Sequence, residues 1–299
     1  MATIDIRRLV SYTAFPLVFG GAMGTALALA ARDAFRGPQL LTLLGLTYLA
    51  VVLLERAFPY HALWKRSHGD LAVDSLLAGT SVTAVGALTP VFQATGFMLG
   101  AQLSPALGGS LWPAQRPLWA QFVLAAVIGE FFAYWQHRLA HENRWLWRFH
   151  AVHHSAPRLY WLNNIRFHPV DLLLESAVKA IPLAALGAGE QVFLLTALLT
   201  GAHGVFQHAN VELRLGPLNW VFSMAELHRW HHSRSLREAN TNYGSDLIYW
   251  DVVFGTRFLP PDRNPPTDIG IADMPHFQRT YWAQLVAPLR WKRLVTDAR

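Results

Sequence analysis

Four apolar runs dominate the first half of the chain, from Tyr12 to Ala31, Gln39 to Phe58, Leu71 to Leu99 and Leu118 to Gln136. A helix needs about 20 apolar residues to cross a bilayer, so each run predicts a transmembrane helix. The first has no cleavage-like signal and is followed at once by a second span, so it reads as an anchor, not a removed signal peptide. Pro90 interrupts the third run, which is therefore expected to tilt, kink or end early. A further apolar stretch, Pro169 to Phe206, breaks near Gly187 and Gly189 into halves too short for a comfortable crossing. Asp171, Glu175 and Lys179 recur at i, i+4 and i+8 on its first half, along one helix face. That stripe predicts a re-entrant helical hairpin whose polar face stays against protein or water; two further full spans are the alternative. From about Glu212 the chain is polar and turn-rich. A closing segment, Phe277 to Leu294, puts Trp282, Leu285, Val286 and Leu289 near one face and Arg290, Lys292 and Arg293 at its end, the pattern of an interfacial helix. The expected fold is all-α: an integral-membrane bundle of four transmembrane helices plus the hairpin, with a cytoplasmic histidine-rich cap. Its regions are 1–117 (transmembrane), 118–259 (histidine-bearing) and 260–299 (loop and interfacial helix).

Composition agrees with a membrane protein. Of 299 residues, 53% are hydrophobic and 15% charged, against roughly 25% charged in soluble domains. Arg7 and Arg8 precede the first run, Arg56, Lys65 and Arg66 lie between the second and third, and Arg138, Arg144 and Arg148 follow the fourth. The opposite loops hold Arg32, Arg36 and Arg116. By the positive-inside rule the N-terminus and the segment after the fourth span are cytoplasmic. The net charge of +6 is explained by these membrane-flanking loops, and no basic run alternates with aromatics as in a nucleic-acid module. Cysteine is absent, which excludes disulfides, Fe–S clusters, thiolate haem and cysteine nucleophiles.

Eleven of the 14 histidines fall between His137 and His232. Eight of these form three clusters: His137/His141, His150/His153/His154 and His228/His231/His232. On a helix, spacings of three and four share a face, so each cluster aims two or three imidazoles at one point. Neutral imidazole is the commonest protein ligand for transition metals. Burying eight without a metal would leave polar groups unpaired at about 1–3 kcal/mol each. Eight donors exceed the four to six of one ion, so a dinuclear centre is expected. A structural zinc normally closes at four ligands, and two-metal hydrolases usually include bridging carboxylates, whereas the acid adjoining these clusters is Glu142. A nearly all-nitrogen donor set beside hydrocarbon points to redox-active iron and O2 chemistry on an apolar substrate, with zinc left open. His61, His68 and His276 stand alone and read as ordinary polar residues.

The three clusters, followed by Asn242-Tyr243-Gly244, Trp250-Asp251 and Phe254-Gly255-Thr256, resemble the fatty acid hydroxylase superfamily, the sterol desaturase family of integral-membrane diiron enzymes. The resemblance covers roughly Glu130 to Leu259. It implies an O2-dependent lipid hydroxylase, desaturase or ether-lipid oxygenase that uses two irons and external electrons. Within it, His208 matches an additional ligand between the second and third clusters, and His203 is a weaker match. The metal ligands so implied are His137, His141, His150, His153, His154, His208, His228, His231 and His232. Glu142 resembles the His-Glu pair of alkylglycerol monooxygenases.

Asn163, Asn164, Asn242, Asp246 and Asp251 are candidates to orient the imidazoles, and Glu142 is counted with them. His168 could be a ligand, a supporting donor or a helix-initiating residue. Glu130, inside the fourth span, faces the substrate channel or the site. The chain carries no GxGxxG and no evident haem or flavin domain, so electrons come from a separate ferredoxin, cytochrome or reductase. The lipid reaches the metals laterally from the membrane. Two rivals remain at this stage. A zinc-dependent membrane hydrolase needs a general base, for which Glu142 or Glu226 is available, and a haem electron-transfer protein needs axial histidine pairs facing across helices.

Overall fold

The computed structural model describes residues 5–297 apart from 110, 273, 275, 276 and 278; His276 is therefore outside the described residues. Among the described residues, regular structure is helical, with isolated β-bridges and no strand. Helices α1 (Ile6–Ala30), α2 (Gly37–Ala57), α3 (Leu71–Leu103) and α4 (Leu118–Glu142) are long and apolar enough to cross a membrane. They coincide with the four apolar runs. Pro90 does not end α3, which continues to Leu103; one proline removes one N–H and is tolerated in an apolar helix braced by neighbours. Leu41, Leu46, Leu49 and Leu53 of α2 and Leu76, Val91, Phe97 and Met98 of α3 point outward. Such an exterior suits lipid and not water.

A short α5 (Trp147–His154) follows α4, and then comes the hairpin of α6 (Pro169–Leu186) and α7 (Glu190–Gln207). Pro169 sits at the first position of α6, where its missing N–H is harmless, and the helix closes at Gly187 in the left-handed region (φ 100°). The hairpin occupies the middle of the bundle: α6 packs on α3 and α4, and α7 on α1, α2 and α4. At its tip, Gln191 Nε2 donates to Asp33 Oδ1 (3.2 Å) and the Phe35 carbonyl (3.1 Å). The hairpin thus reaches the level of the α1–α2 loop, held within protein. Its polar stripe meets α4 and a later loop: Gln136 donates to Asp171 (3.2 Å), and Lys179 to Glu175 (3.1 Å) and Asp246 (3.3 Å).

Helices α3 and α6 approach each other closely. A Cβ on Gly96 would lie 2.4 Å from the Ile181 carbonyl oxygen, and one on Gly100 2.4 Å from that of Ala185. This is the small-xxx-small device by which apolar helices pack without a hydrophobic driving force. Gly100→Leu should lower the melting temperature in detergent, since overpacking costs about 1–3 kcal/mol. Gly79→Leu, on the same helix with open space around it, should leave it unchanged.

The cap consists of α5, α8 (Ala225–His231), α9 (Leu236–Ala239), α10 (Tyr249–Val253) and their loops, with α11 (Tyr281–Asp297) laid across α3 and α5. The single apolar face expected for this last helix is split. Leu285, Ala287, Trp291 and Leu294 pack with Val73, Leu77 and Val152, while Trp282 and Leu289 are 72% and 87% exposed. The surface of α5 takes one side of the stripe and leaves the other for the headgroup region.

Candidate metal centre

Four elements bring the histidines together. The last two turns of α4 carry His137 and His141. A tight turn follows, in which Asn143 Oδ1 accepts from the backbone N–H of Trp145 (2.8 Å), and it folds α5 back with His150, His153 and His154. His208 caps the C-terminus of α7, and His228, His231 and His232 lie on or just after α8. Buried Arg229 locks α8 in place: its Nη2 donates to the carbonyls of Ala209 and Val211, both 2.7 Å, and its guanidinium lies 3.8 Å from the Tyr60 ring centroid.

The nine imidazoles fall into two groups, in each of which one nitrogen per residue lies within 4.8 Å of the others. One group is His137, His141, His150, His154 and His231; the other is His153, His208, His228 and His232. The two HxxHH motifs interlock. In each, the residues four apart serve one group and the middle histidine reaches into the other, because adjacent helical positions are rotated by about 100°. His154 and His232, one from each group, stack with ring centroids 4.4 Å apart.

The hydrogen bonds around the rings test whether a cation belongs there. His137 Nδ1 lies 2.7 Å from the Tyr243 carbonyl and His150 Nδ1 2.8 Å from Asp171 Oδ2. Both partners are acceptors, so each Nδ1 carries the hydrogen and each Nε2 a lone pair. Those two Nε2 atoms face each other at 3.0 Å, and His150 Nε2 is also 3.1 Å from His154 Nε2. In the second group, His208 Nδ1 is 2.9 Å from Asn163 Oδ1, and its Nε2 points at His228 Nε2 (2.9 Å), which also faces His232 Nε2 (3.0 Å). One hydrogen cannot satisfy three converging nitrogens. Burial holds the imidazoles of His153, His154, His228, His231 and His232 well below the ordinary histidine pKa, so they offer neutral nitrogen donors. Facing lone pairs repel unless a cation lies between them, and both groups fit a metal ion.

The groups orienting the rings differ in part from the sequence expectation. Asp171, Asn163, Asn240 and the carbonyls of Tyr243, Arg166 and Thr241 take the Nδ1 hydrogens of His150, His208, His141, His137, His153 and His231. Asn163 was anticipated. Asp171 was read as part of the hairpin's polar stripe, and the backbone carbonyls carry no signal in sequence. Glu142 stands apart: it pairs with Arg138 (2.8 Å) with its side chain 48% exposed. Asp246 also hydrogen-bonds none of the nine, being engaged with Lys179 and Thr200. Asn164 is turned toward Tyr48 and the Trp161 carbonyl.

Asn242 and Asp251 act one step removed. Asn242, at φ 53°, donates to the Leu227 and Phe258 carbonyls. Asp251 accepts from the N–H groups of Tyr243 (2.8 Å) and Gly244 (2.7 Å) and from Thr256 (2.7 Å), fixing the turn whose carbonyl holds His137. A Cβ at Gly244 would come 2.3 Å from the Leu247 carbonyl oxygen, so the Asn-Tyr-Gly turn requires its glycine. Asp251→Ala should lower activity by about 10–100-fold, the usual size of effects one shell out from a metal, with lipid turnover as the readout.

His203 and His168 belong to neither group. His203 is buried among Phe15, Phe19 and Phe222. His168 initiates α6: its Nδ1 accepts from the Val170 N–H and its Nε2 donates to the Leu285 carbonyl, both 3.1 Å. Glu226 accepts from Leu215 N–H (2.8 Å) and Asn219 (2.6 Å), so neither it nor Glu142 is placed as a general base beside the imidazoles.

The sequence model of the fatty acid hydroxylase family matches residues 122–256, a span that contains all nine histidines. An ornithine lipid hydroxylase of Rhizobium tropici is 42% identical over 267 residues, covering 87% of this chain and 79% of the relative. The chain belongs to the fatty acid hydroxylase family. An alkylglycerol monooxygenase of Danio rerio is 35% identical over 127 residues, 42% of this chain and 28% of that protein. A methylsterol monooxygenase of Arabidopsis thaliana is 28% identical over 170 residues, 56% of this chain and 60% of that protein. No solved structure matches the chain. The relatives are lipid hydroxylases and monooxygenases, and this family member is accordingly an oxidoreductase of the membrane.

Two cavities complete the site. One lies against His137, His150, His153, His208 and His228 and continues past Asp171 and Glu175. The other is mainly apolar, lies between α3, α4, α6 and α7, and includes Glu130 on its wall. Its volume is about 410 Å³, within the roughly 300–1,000 Å³ of small-molecule sites. Thr200, Gly201, Ile165, Leu172 and Asp246 line both.

Proposed function

We propose that this protein is an O2-dependent diiron hydroxylase of a membrane lipid, with its histidine-bearing end on the cytoplasmic side. The observation that carries the reading is the pair of interlocked groups of neutral imidazoles, with lone pairs converging, at the inner end of a cavity open to the apolar bundle. His137, His141, His150, His154 and His231 would hold one iron and His153, His208, His228 and His232 the other. Bound iron supplies O2 activation and insertion of one oxygen atom into an aliphatic C–H bond.

The chain's own residues do the rest. Asp171, Asn163 and the Tyr243 carbonyl fix the imidazole tautomers, so that lone pairs point inward before any ion arrives. Burial of both groups limits access of bulk water. The apolar cavity admits a lipid from the side, between helices, without passage through water. The ornithine lipid hydroxylase relative favours a lipid of that class over a sterol.

Orientation follows from charge. Arg7 and Arg8, Arg56, Lys65 and Arg66, and Arg138 to Arg148 lie at the histidine end, while Arg32, Arg36 and Arg116 lie at the other. A separate carrier delivers the electrons. Trp147, half-buried, has its ring centroid 5.3 Å from that of His141 and 5.5 Å from that of His154, with Arg144, Arg148 and exposed Trp145 around it. This basic rim suits an acidic redox protein.

The test is expression in bacteria that make ornithine lipid but do not hydroxylate it, with lipid extracts compared under 16O2 and 18O2. The proposal expects a lipid heavier by one oxygen atom that takes its label from O2. Unchanged lipids in cells containing the iron-loaded protein and a reductase would contradict it.

A further inference from the structure

Where α11 crosses α5, four basic side chains close on one groove. It is lined by Arg148 of α5 and by Leu289, Arg290, Lys292 and Arg293 of α11, and its volume is about 510 Å³. No acidic residue is among the described residues of its wall. Arg148 is steadied by Trp145, its guanidinium carbon lying 3.8 Å from the ring centroid. Arg290, Lys292 and Arg293 are exposed. Among the described residues, Arg148, Arg290 and Arg293 take part in no ion pair.

Like charges gathered this way repel one another unless an anion lies among them. Basic residues near a helix C-terminus are ordinary, but that does not account for Arg148, which comes from another helix. The depth of the groove says which anion it meets. Leu285, Ala287, Trp291 and Leu294 of α11 pack with Val73 and Leu77 in the first two turns of α3, so α11 lies level with the end of a spanning helix. Leu289 on the groove wall and Trp282, seven residues earlier on the same face, are both exposed. Apolar side chains beside four cations match the layer where lipid phosphates meet acyl chains, and not the surface of a soluble partner.

We propose that this groove binds the phosphate of an anionic membrane phospholipid, with Arg148, Arg290 and Arg293 as its partners and Leu289 against the start of the acyl chains. Guanidinium groups suit the task because they meet phosphate oxygens with paired N–H donors. A lipid seated there ties α11 to α5, which carries His150, His153 and His154, and so anchors the histidine-bearing cap to the bilayer. Arg148 also belongs to the rim around Trp147, whereas Arg290 and Arg293 belong to the groove alone, which makes them the residues to change. Such a lipid is not the substrate, so its binding is independent of the hydroxylase reading.

The test is native mass spectrometry of the iron-loaded, full-length protein in detergent, offered equal amounts of dioleoylphosphatidylglycerol and dioleoylphosphatidylcholine. Wild type should retain the anionic lipid over the zwitterionic one by about fivefold or more. Arg290→Gln combined with Arg293→Gln should reduce that preference to about twofold or less. Either change alone should remove part of it, so the outcome stands even if the pair is unstable. Arg32→Gln combined with Arg116→Gln, which removes two exposed charges at the other end of the bundle, should leave it intact. Retained iron and an unchanged melting temperature identify a folded variant. Equal retention of both lipids by wild type, an intact preference in the folded Arg290 and Arg293 variants, or an equal loss in the Arg32 and Arg116 pair would overturn the assignment. So would stabilisation of wild type by inorganic phosphate that matches stabilisation by phosphatidylglycerol, the mark of a site for free anions. Loss of binding to an acidic ferredoxin in the Arg290 and Arg293 variants, with lipid retention intact, would give the groove to the electron carrier instead.

Discussion

Alanine at His150 or at His228 should abolish lipid turnover. Each is the hub of its group: His150 Nε2 lies 3.0 Å from His137 Nε2 and 3.1 Å from His154 Nε2, and His228 Nε2 lies 2.9 Å from His208 Nε2 and 3.0 Å from His232 Nε2. Removing a hub nitrogen opens a coordination position and shifts the redox potential of the ion beside it. The loss should exceed the roughly 10–100-fold expected for groups that only orient ligands. His137, His141, His154 and His232 should behave alike, since each contributes a nitrogen to one of the two sets. Oxygenated lipid in membranes and metal bound to the purified variant are the readouts. Activity above a tenth of wild type in His228→Ala would remove the four-histidine group from the chemistry.

The second large effect is a contrast within α7. His208→Ala should be inactive and lose metal, whereas His203→Ala should keep the full metal complement. The two lie just over one helical turn apart, but their surroundings differ. His208 is held by Asn163 and presents Nε2 to His228. His203 packs against Phe15, Phe19 and Phe222 and approaches no other histidine. Elemental analysis of both variants decides the matter. Loss of metal from His203→Ala with retention in His208→Ala would move the fourth ligand of that group one turn into the bundle.

Much of this was legible in the chain because helical spacing is a strong signal. The four apolar runs became α1 to α4, and the histidines spaced by three and four converge in two groups. What sequence could not show was how the HxxHH motifs divide between two groups, since that depends on how α5 and α8 face each other. Asp171 was visible only as one member of a charged stripe. Its contact with His150 arises because the hairpin is drawn into the centre of the bundle. Glu142 was overvalued through its position after His141; at the end of α4 it faces solvent and Arg138. Asp246 was grouped with the imidazole supports because it follows the Asn-Tyr-Gly turn, yet that turn carries it away from the rings and onto Lys179.

The most direct test is the metal content of the protein assembled under iron-replete, reducing conditions and purified in detergent, counted per chain by elemental analysis and examined by Mössbauer spectroscopy. Two ions per chain are expected in wild type, with loss of both when His153 and His231, the residues that cross between the groups, are replaced together. One ion per chain in wild type, or two retained in that double variant, would contradict a dinuclear centre.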